Sequence, residues 1–374
     1  MLETAQVDVQ EDLIADWRTR VARARARLGW PAALPLVARR HAGGASLALA
    51  APADQLFTAT EVNEWALCAT LQACDPGRWR RTEQALVTTA REQAANPADL
   101  DEPVLEERAA FARFERLAAA ERRPDLIALI AEAEAHATLH VVDERQLTLG
   151  AGVGSRSWAL DALPADDEVP WPQLRNIPIA AVTGSNGKTT TVRLVAACVR
   201  AHGWRDGFCC TDGVFAANAL VEPGDYSGPA GTRRVLRDAT VQAAVLEMAR
   251  GGILRRGLAI GRADVAVVTN LSDDHFGEYG IDDLDGLAQA KLTVAHLVAG
   301  RGLLVLNADD DVLRRKAATL PERLQGALPT FGWFALDFDR QDLRQHRAGG
   351  GATCGVRNDR LRLAWQGREY DLGA

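Results

Sequence analysis

The sequence predicts an α/β protein: a larger central domain with a mostly parallel sheet and a phosphate loop, preceded by a smaller α+β amino-terminal domain. Three observations carry this expectation. Residues 179–183 are an apolar run of β-branched and small side chains that breaks into Gly184-Ser185-Asn186-Gly187 and resumes, from Thr189 through Val192, Leu194, Val195 and Val199, with helical spacing. Similar runs at 241–246, 265–269 and 303–307 read as further buried parallel strands, with a helical stretch at 284–298 among them. Residues 161–177, which include Pro164, Pro170 and Pro172, read as a linker and divide the chain into 1–165 and 166–374.

Composition bounds the function. A chain of 374 residues, 47% hydrophobic and 25% charged, has room for two or three domains with their own cores. A net charge of −7 gives no reason to expect a nucleic-acid partner. The acidic, polar stretch from Glu3 to Asp16 does not resemble a signal peptide and no apolar run reaches membrane-spanning length, so the expectation is a cytoplasmic protein with no membrane partner. The six cysteines (Cys68, Cys74, Cys198, Cys209, Cys210, Cys354) show no metal-type pairing and are expected to be reduced and buried.

Taken in order, residues 11–28 read as a helix whose Arg18, Arg20, Arg23, Arg25 and Arg27 form a solvated basic face. A short strand is expected at 47–51. Thr60, followed by Glu61, reads as the N-cap of a helix. Helical patterning continues at 81–94 and 104–120, broken at Pro97 and Pro103, and Pro124 opens another helix over 125–136. Short strands follow at 139–142, 146–149 and 155–160. Between them Gly150-Ala151-Gly152-Val153-Gly154 reads as a turn and not a second phosphate loop, because no capped helix follows it. His136 and His140 are four apart but straddle a helix-to-strand change, which argues against a shared metal.

The loop at 184–187 carries the chemistry. Gly184 and Gly187 let the backbone turn with N–H groups aimed at phosphate oxygens, the Lys188 ammonium reaches the outer phosphates, and the Thr189 hydroxyl, followed by Thr190, is placed to ligate Mg²⁺. The general P-loop has four residues between its first glycine and the Gly-Lys pair. Here only Ser185 and Asn186 intervene. This short form resembles the loop of the Mur ligase superfamily, the ATP-dependent amide-forming ligases of peptidoglycan, folylpolyglutamate and cyanophycin synthesis.

Downstream, Thr211-Asp212-Gly213, Ser227-Gly228-Pro229 and Thr232 to Leu236 form a polar, loop-rich segment that faces the phosphates by chain position. Glu247 ends the strand at 241–246, where a carboxylate can hold Mg²⁺, and Met248-Ala249-Arg250-Gly251-Gly252-Ile253-Leu254-Arg255 follows. The run from Thr211 through Leu258 resembles the Mur-like half of cyanophycin synthetase, element by element. The strand at 265–269 delivers Asn270, Asp274 and His275, and that at 303–307 ends in Asn307-Ala308-Asp309-Asp310, whose amide and carboxylates suit adenine and ribose. The resemblance implies that His275 ligates Mg²⁺ with Asn270 and Asp274 in support, that Lys291 is carbamylated and helps coordinate a second Mg²⁺, that Asn307 and Asp310 contact the nucleoside, and that Thr211, Asp212, Ser227, Arg250 and Asn270 contact substrate.

Residues 57–65 and 146–154 look like pieces of the amino-terminal domain of cyanophycin synthetases. There an ATP-grasp domain follows such a segment. Here only the linker separates it from the glycine loop, so the aspartate-adding chemistry has no seat in this chain. Strand and hairpin signals at 329–332, 360–365 and 369–372 close the central domain, and the resemblance implies a third, carboxyl-terminal domain for which no residues remain, as in a truncated form of a longer ligase. The implied activity is an ATP-dependent ligase that joins a small-molecule or peptide carboxylate to an amino-acid amine through an acyl phosphate, with ATP and Mg²⁺ as cofactors. The resemblance suggests an amino acid such as arginine joined to an aspartate-containing peptide. A nucleotide-binding homologue without ligase activity, a simple P-loop kinase or ATPase, and a homo-oligomer all stay open on sequence.

Overall fold

The computed structural model describes residues 2–5, 11–41, 44–77, 79–80, 105–273 and 276–373. Contacts divide the chain into two compact units, one of residues 1–127 with 277–280, the other of residues 128–276 with 281–374.

In the first unit, β1 (Leu2–Ala5), β3 (Gly44–Leu49) and β2 (Leu36–His41) form an antiparallel sheet in that order. With it go α1 (Glu11–Leu28), α2 (Leu56–Cys74) and α3 (Glu107–Glu121). Trp17 and Val21 of α1, Val62 and Trp65 of α2, and Phe114 of α3 share one core with Leu47. Trp65 packs edge-on against Phe111 and Phe114, with centroids 5.4 and 5.7 Å away, and the buried Trp17 indole donates to Asn63 Oδ1 at 3.0 Å.

Several expectations change here. Arg25 is not solvated: it is 5% exposed and donates to the carbonyls of Leu34, Pro35 and Ala50, groups that a linear pattern cannot bring to it. Thr60 is not a cap but an interior helical residue. The first amides of α2, at Phe57 and Thr58, are instead satisfied by the Glu121 carboxylate from the end of α3. The strand expected at 47–51 is β3, and its partners β1 and β2 were not expected. The helix expected at 81–94, with Pro97 and Pro103, lies outside the described residues.

The second unit holds the antiparallel strands β4 (His140–Val142), β5 (Gln146–Leu149) and β6 (Arg156–Ala159), preceded by α4 (Pro124–Ala135). These strands group with the larger unit, so the division falls at 127/128 and not at 165/166. Arg237 shows why: it donates to Thr148 Oγ1 at 2.9 Å and to the Asp143 carboxylate. The glycine-rich segment between β5 and β6 is a tight turn, as expected, seated by Ala151 N donating to Arg175 O at 3.0 Å and Val153 N to Val241 O at 2.8 Å. Gly152 has φ +54° there, and a Cβ would lie 2.2 Å from Val241 O and 2.6 Å from Ile177 Cδ1. Gly152→Ala is therefore expected to cost about 3 kcal/mol, read as a fall of several degrees in Tm by thermal unfolding.

The main sheet runs β10-β9-β8-β11-β7-β12-β13-β14-β15-β16-β17. Its strands are β7 (Ile179–Thr183), β8 (Asp206–Cys210), β9 (Gly213–Ala216), β10 (Ala219–Pro223), β11 (Ala243–Glu247), β12 (Val265–Val268), β13 (Leu303–Asn307), β14 (Thr330–Asp337), β15 (Ala352–Arg357), β16 (Arg360–Trp365) and β17 (Arg368–Gly373). The block from β8 to β15 is parallel, and hairpins close each edge. Helices α5 (Lys188–Ala201), α6 (Pro229–Arg237), α7 (Arg250–Arg256), α8 (Leu284–Lys291), α9 (Asp311–Ala317), α10 (Leu320–Arg323) and α11 (Gln341–Ala348) connect the strands.

Much of the segment read as polar loop between 211 and 236 is therefore the β9–β10 hairpin and α6, and β8, directly before it, was not expected. The five residues of β8, fully buried but rich in glycine and cysteine, are too few to show a period. The strand signal at 329–332, read as the end of a strand, is the start of β14, which runs on to Asp337. All six cysteines are free thiols, but only Cys209 and Cys210 are fully buried, while Cys74 and Cys198 are exposed on helices. Burial pushes the Cys209 thiol up to about 12, which keeps it protonated and inert. Among the described residues no helix is long and apolar enough to cross a membrane.

Candidate nucleotide-binding site

Four adjacent parallel strands, β11, β7, β12 and β13, deliver their carboxyl ends to one rim of the sheet. The glycine loop leaves β7 there. Gly184 has φ +148° with its α-carbon pressed against Thr269, and Gly187, at φ +76°, starts α5 in the left-handed region. The end of β12 seats the loop. Ser185 N donates to Asn270 O at 2.9 Å, Asn186 N to Asn270 Oδ1 at 3.0 Å, and Thr269 Oγ1 to Asn186 O at 2.6 Å. Ser272 adds a bond from Asn186 Nδ2 at 2.9 Å. The amides from Gly187 to Thr189 stand at the helix N-terminus, where no carbonyl within the helix can take them and an anion is favoured. Lys188 Nζ donates to Ser185 O at 3.0 Å, and Thr190 is exposed in the first turn of α5.

Glu247, the last residue of β11, is fully buried. Its Oε2 accepts from Thr189 Oγ1 at 2.8 Å, and that hydroxyl lies 3.2 Å from Thr211 Oγ1. Its Oε1 is buried without a hydrogen-bond partner. Desolvation raises the Glu247 carboxyl above the ordinary range, opposed by the Thr189 hydrogen bond and the Lys188 charge. A buried carboxylate oxygen with no donor, beside a threonine hydroxyl at a phosphate loop, fits a hard divalent cation. Among the described residues no group of three or more His, Cys, Asp or Glu gathers as a metal cage, so phosphate or water oxygens would have to complete the shell.

Lys291, 3% exposed at the end of α8, donates from Nζ to Gly184 O at 2.7 Å. Asn307 donates to Thr269 O at 3.0 Å, which ties β13 to the loop seat. Asp310 is occupied: Oδ1 caps α9 through Val312 N and Leu313 N, and Oδ2 accepts from Leu271 N at 2.6 Å. Asn307 and Asp309 stand instead at the edge of a cavity of about 450 Å³, lined also by Phe334, Leu336, Val356 and Leu361.

The residues expected at the substrate divide. Asn270 belongs to the loop seat, and Thr211 is beside Thr189. Asp212 pairs with Arg193 at 2.7 Å. Ser227 bonds Asp225 Oδ1 through N and Oγ at 3.0 and 2.6 Å, and its carbonyl accepts from Ala249 N at 2.8 Å. Arg250 is buried at the start of α7. His275 and Asp274 lie outside the described residues. Thr269 and Ser272 are the site residues that the sequence reading assigned no role. A threonine closing a buried strand directly before an asparagine is the signal that could have marked the first.

Residues 182–366 match the Mur ligase middle domain. Cyanophycin synthetase of Trichormus variabilis is 42% identical over 191 residues, which are 51% of this chain and 20% of that protein. The UDP-N-acetylmuramoyl-L-alanyl-D-glutamate--2,6-diaminopimelate ligase of Pseudomonas aeruginosa is 36% identical over 150 residues, 38% of this chain and 30% of that protein. A solved structure of a ligase of that name aligns with 53% of this chain and 39% of its own, at 22% identity and a TM-score of 0.42. The chain thus spans about a fifth of the length of the cyanophycin synthetases it matches.

Proposed function

We propose that this chain, which belongs to the Mur ligase superfamily through its middle domain at residues 182–366, binds ATP with Mg²⁺ and activates a substrate carboxylate for amide formation. The observation that carries this reading is Glu247, a buried carboxylate with one oxygen held by Thr189 and the other without a donor, at the strand next to the phosphate loop. The amides from Gly187 to Thr189 take the phosphates, and Lys188 turns from Ser185 O to the outer phosphate oxygens. Thr189 and Glu247 hold the cation. Mg²⁺ bound there supplies charge neutralisation at the phosphates. The cavity beside Asn307 suits a purine, whose ring faces pack on Phe334 and Leu336 while Asn307 offers hydrogen bonds to its edge or to the ribose; Asp309 lines the cavity with its oxygens held by Leu336 N and Arg340 at 2.7 Å each.

With the nucleotide so held, a carboxylate oxygen of the acceptor attacks the γ-phosphorus and the bond to ADP breaks, leaving an acyl phosphate. An amino-acid amine then attacks the acyl carbon, loses a proton and expels phosphate, which leaves with the electron pair of the C–O bond. Lys188 stabilises the charge that develops on the transferring group. The test is trapping. ATP, Mg²⁺, amino-acid or peptide carboxylates and hydroxylamine should yield hydroxamate together with ADP. Phosphate release that ignores carboxylate and amine, with no hydroxamate, assigns a simple ATPase instead. Nucleotide binding with no turnover assigns a non-catalytic homologue.

A further inference from the structure

We propose that Lys291 and Thr269 are positioning residues of the phosphate loop, which hold the carbonyls of Gly184 and Asn186 turned into the protein so that the loop is shaped before a nucleotide arrives. This rests on the reading of the loop as a nucleotide site. A glycine-bounded loop has peptide units that can flip, and a carbonyl turned toward a phosphate repels it. Each carbonyl from 184 to 187 is engaged in the structure. Gly184 O accepts from Lys291 Nζ at 2.7 Å, Ser185 O from Lys188 Nζ at 3.0 Å, Asn186 O from Thr269 Oγ1 at 2.6 Å and Asn270 Nδ2 at 3.2 Å, and Gly187 O from Thr191 N at 2.9 Å.

In a trans peptide the C=O and the following N–H point opposite ways. Holding Asn186 O against β12 therefore turns Gly187 N–H out of the seat, toward the cradle. Holding Gly184 O against Lys291 turns Ser185 N–H to Asn270 O, the bond observed at 2.9 Å. Lys188 leaves its carbonyl when it reaches a phosphate. Lys291 and Thr269, both buried, keep theirs. Lys291 reaches Gly184 O through its Nζ–H from the carboxyl end of α8.

ADP binding measured by calorimetry in EDTA separates this role from metal ligation. Thr269→Val and Lys291→Met are each expected to weaken ADP about tenfold in EDTA and by the same factor with Mg²⁺, as the loss of one strong hydrogen bond predicts. Thr269→Ser, which keeps the hydroxyl, should restore affinity, a result that a packing role for the methyl group does not give. Unchanged ADP affinity in EDTA, with loss only in Mg²⁺, overturns the proposal and returns Lys291 to the metal. Wild-type chain that binds no ADP under either condition removes the nucleotide reading itself and this inference with it.

Discussion

Gly184→Ala is expected to weaken nucleotide binding on the order of a hundredfold or more, an effect well beyond that of the same change at Gly187. The Cβ added at 184 would lie 1.8 Å from Thr269 Oγ1 and 3.1 Å from Thr269 N, with the backbone at φ +148°. The threonine cannot swing aside freely, because its hydroxyl holds Asn186 O at 2.6 Å. Either the loop lifts from β12 or the Thr269 bond breaks, and both undo the cradle. Gly187 has φ +76° and nothing within 4 Å of an added Cβ, so alanine there costs only left-handed strain of about 1–2 kcal/mol and roughly tenfold in affinity. Calorimetric titration of ADP into both variants, with thermal unfolding as the check on folding, reads the ranking. Equal losses at the two positions would mean that contact with Thr269 does not shape the loop.

What could be read from the sequence follows from the range of the interactions involved. The runs at 179–183, 265–269 and 303–307 are short but unbroken in their apolar and small side chains up to the strand end, so composition marks β7, β12 and β13, whereas β8 opens on Asp206 and Gly207. The glycine loop announces itself because its φ angles admit little else. Glu247 and Asn270 are legible as strand ends next to that loop. Partners supplied from far along the chain are not. Glu121 caps α2 from 63 and 64 residues away, so Thr60 looked like the cap when it was not one. Arg25 reaches carbonyls on two other segments, and nothing in its own helix distinguishes it from Arg23 or Arg27. Thr269 and Ser272 matter through bonds to a loop more than 80 residues earlier. Asp310, assigned to the nucleoside by resemblance, has each carboxylate oxygen taken by backbone amides. Asn307 keeps capacity at the cavity edge: its Nδ2 spends one hydrogen on Thr269 O and its Oδ1 accepts once, from Asp309 N at 2.9 Å, which leaves a second N–H and a second lone pair.

Glu247→Gln is expected to make the nucleotide-free chain more stable while removing the contribution of Mg²⁺ to ATP affinity. Burial raises the folded-state carboxyl above its unfolded value, so the folded state holds a proton that the unfolded state releases. The sign follows: no penalty exists below the unfolded carboxyl range near pH 4, it grows as pH rises toward the folded value, and it is complete above it. Glutamine never carries the charge and keeps an oxygen for the Thr189 hydroxyl, now 2.8 Å from Glu247 Oε2. Tm should therefore rise by about 3 °C at pH 8 and not at all near pH 4, the size that about 1 kcal/mol gives in a domain of this length. Amide nitrogen in place of the donorless Oε1 offers a cation nothing, so ATP should bind the variant equally with Mg²⁺ and with EDTA. A variant that is less stable at pH 8 would show that the carboxylate is anchored as an ion by the structure itself. One that keeps a Mg²⁺-dependent gain in ATP affinity would place the cation elsewhere. Stability gained together with cation dependence lost is the signature of a carboxylate held ready for a metal at a cost to the fold.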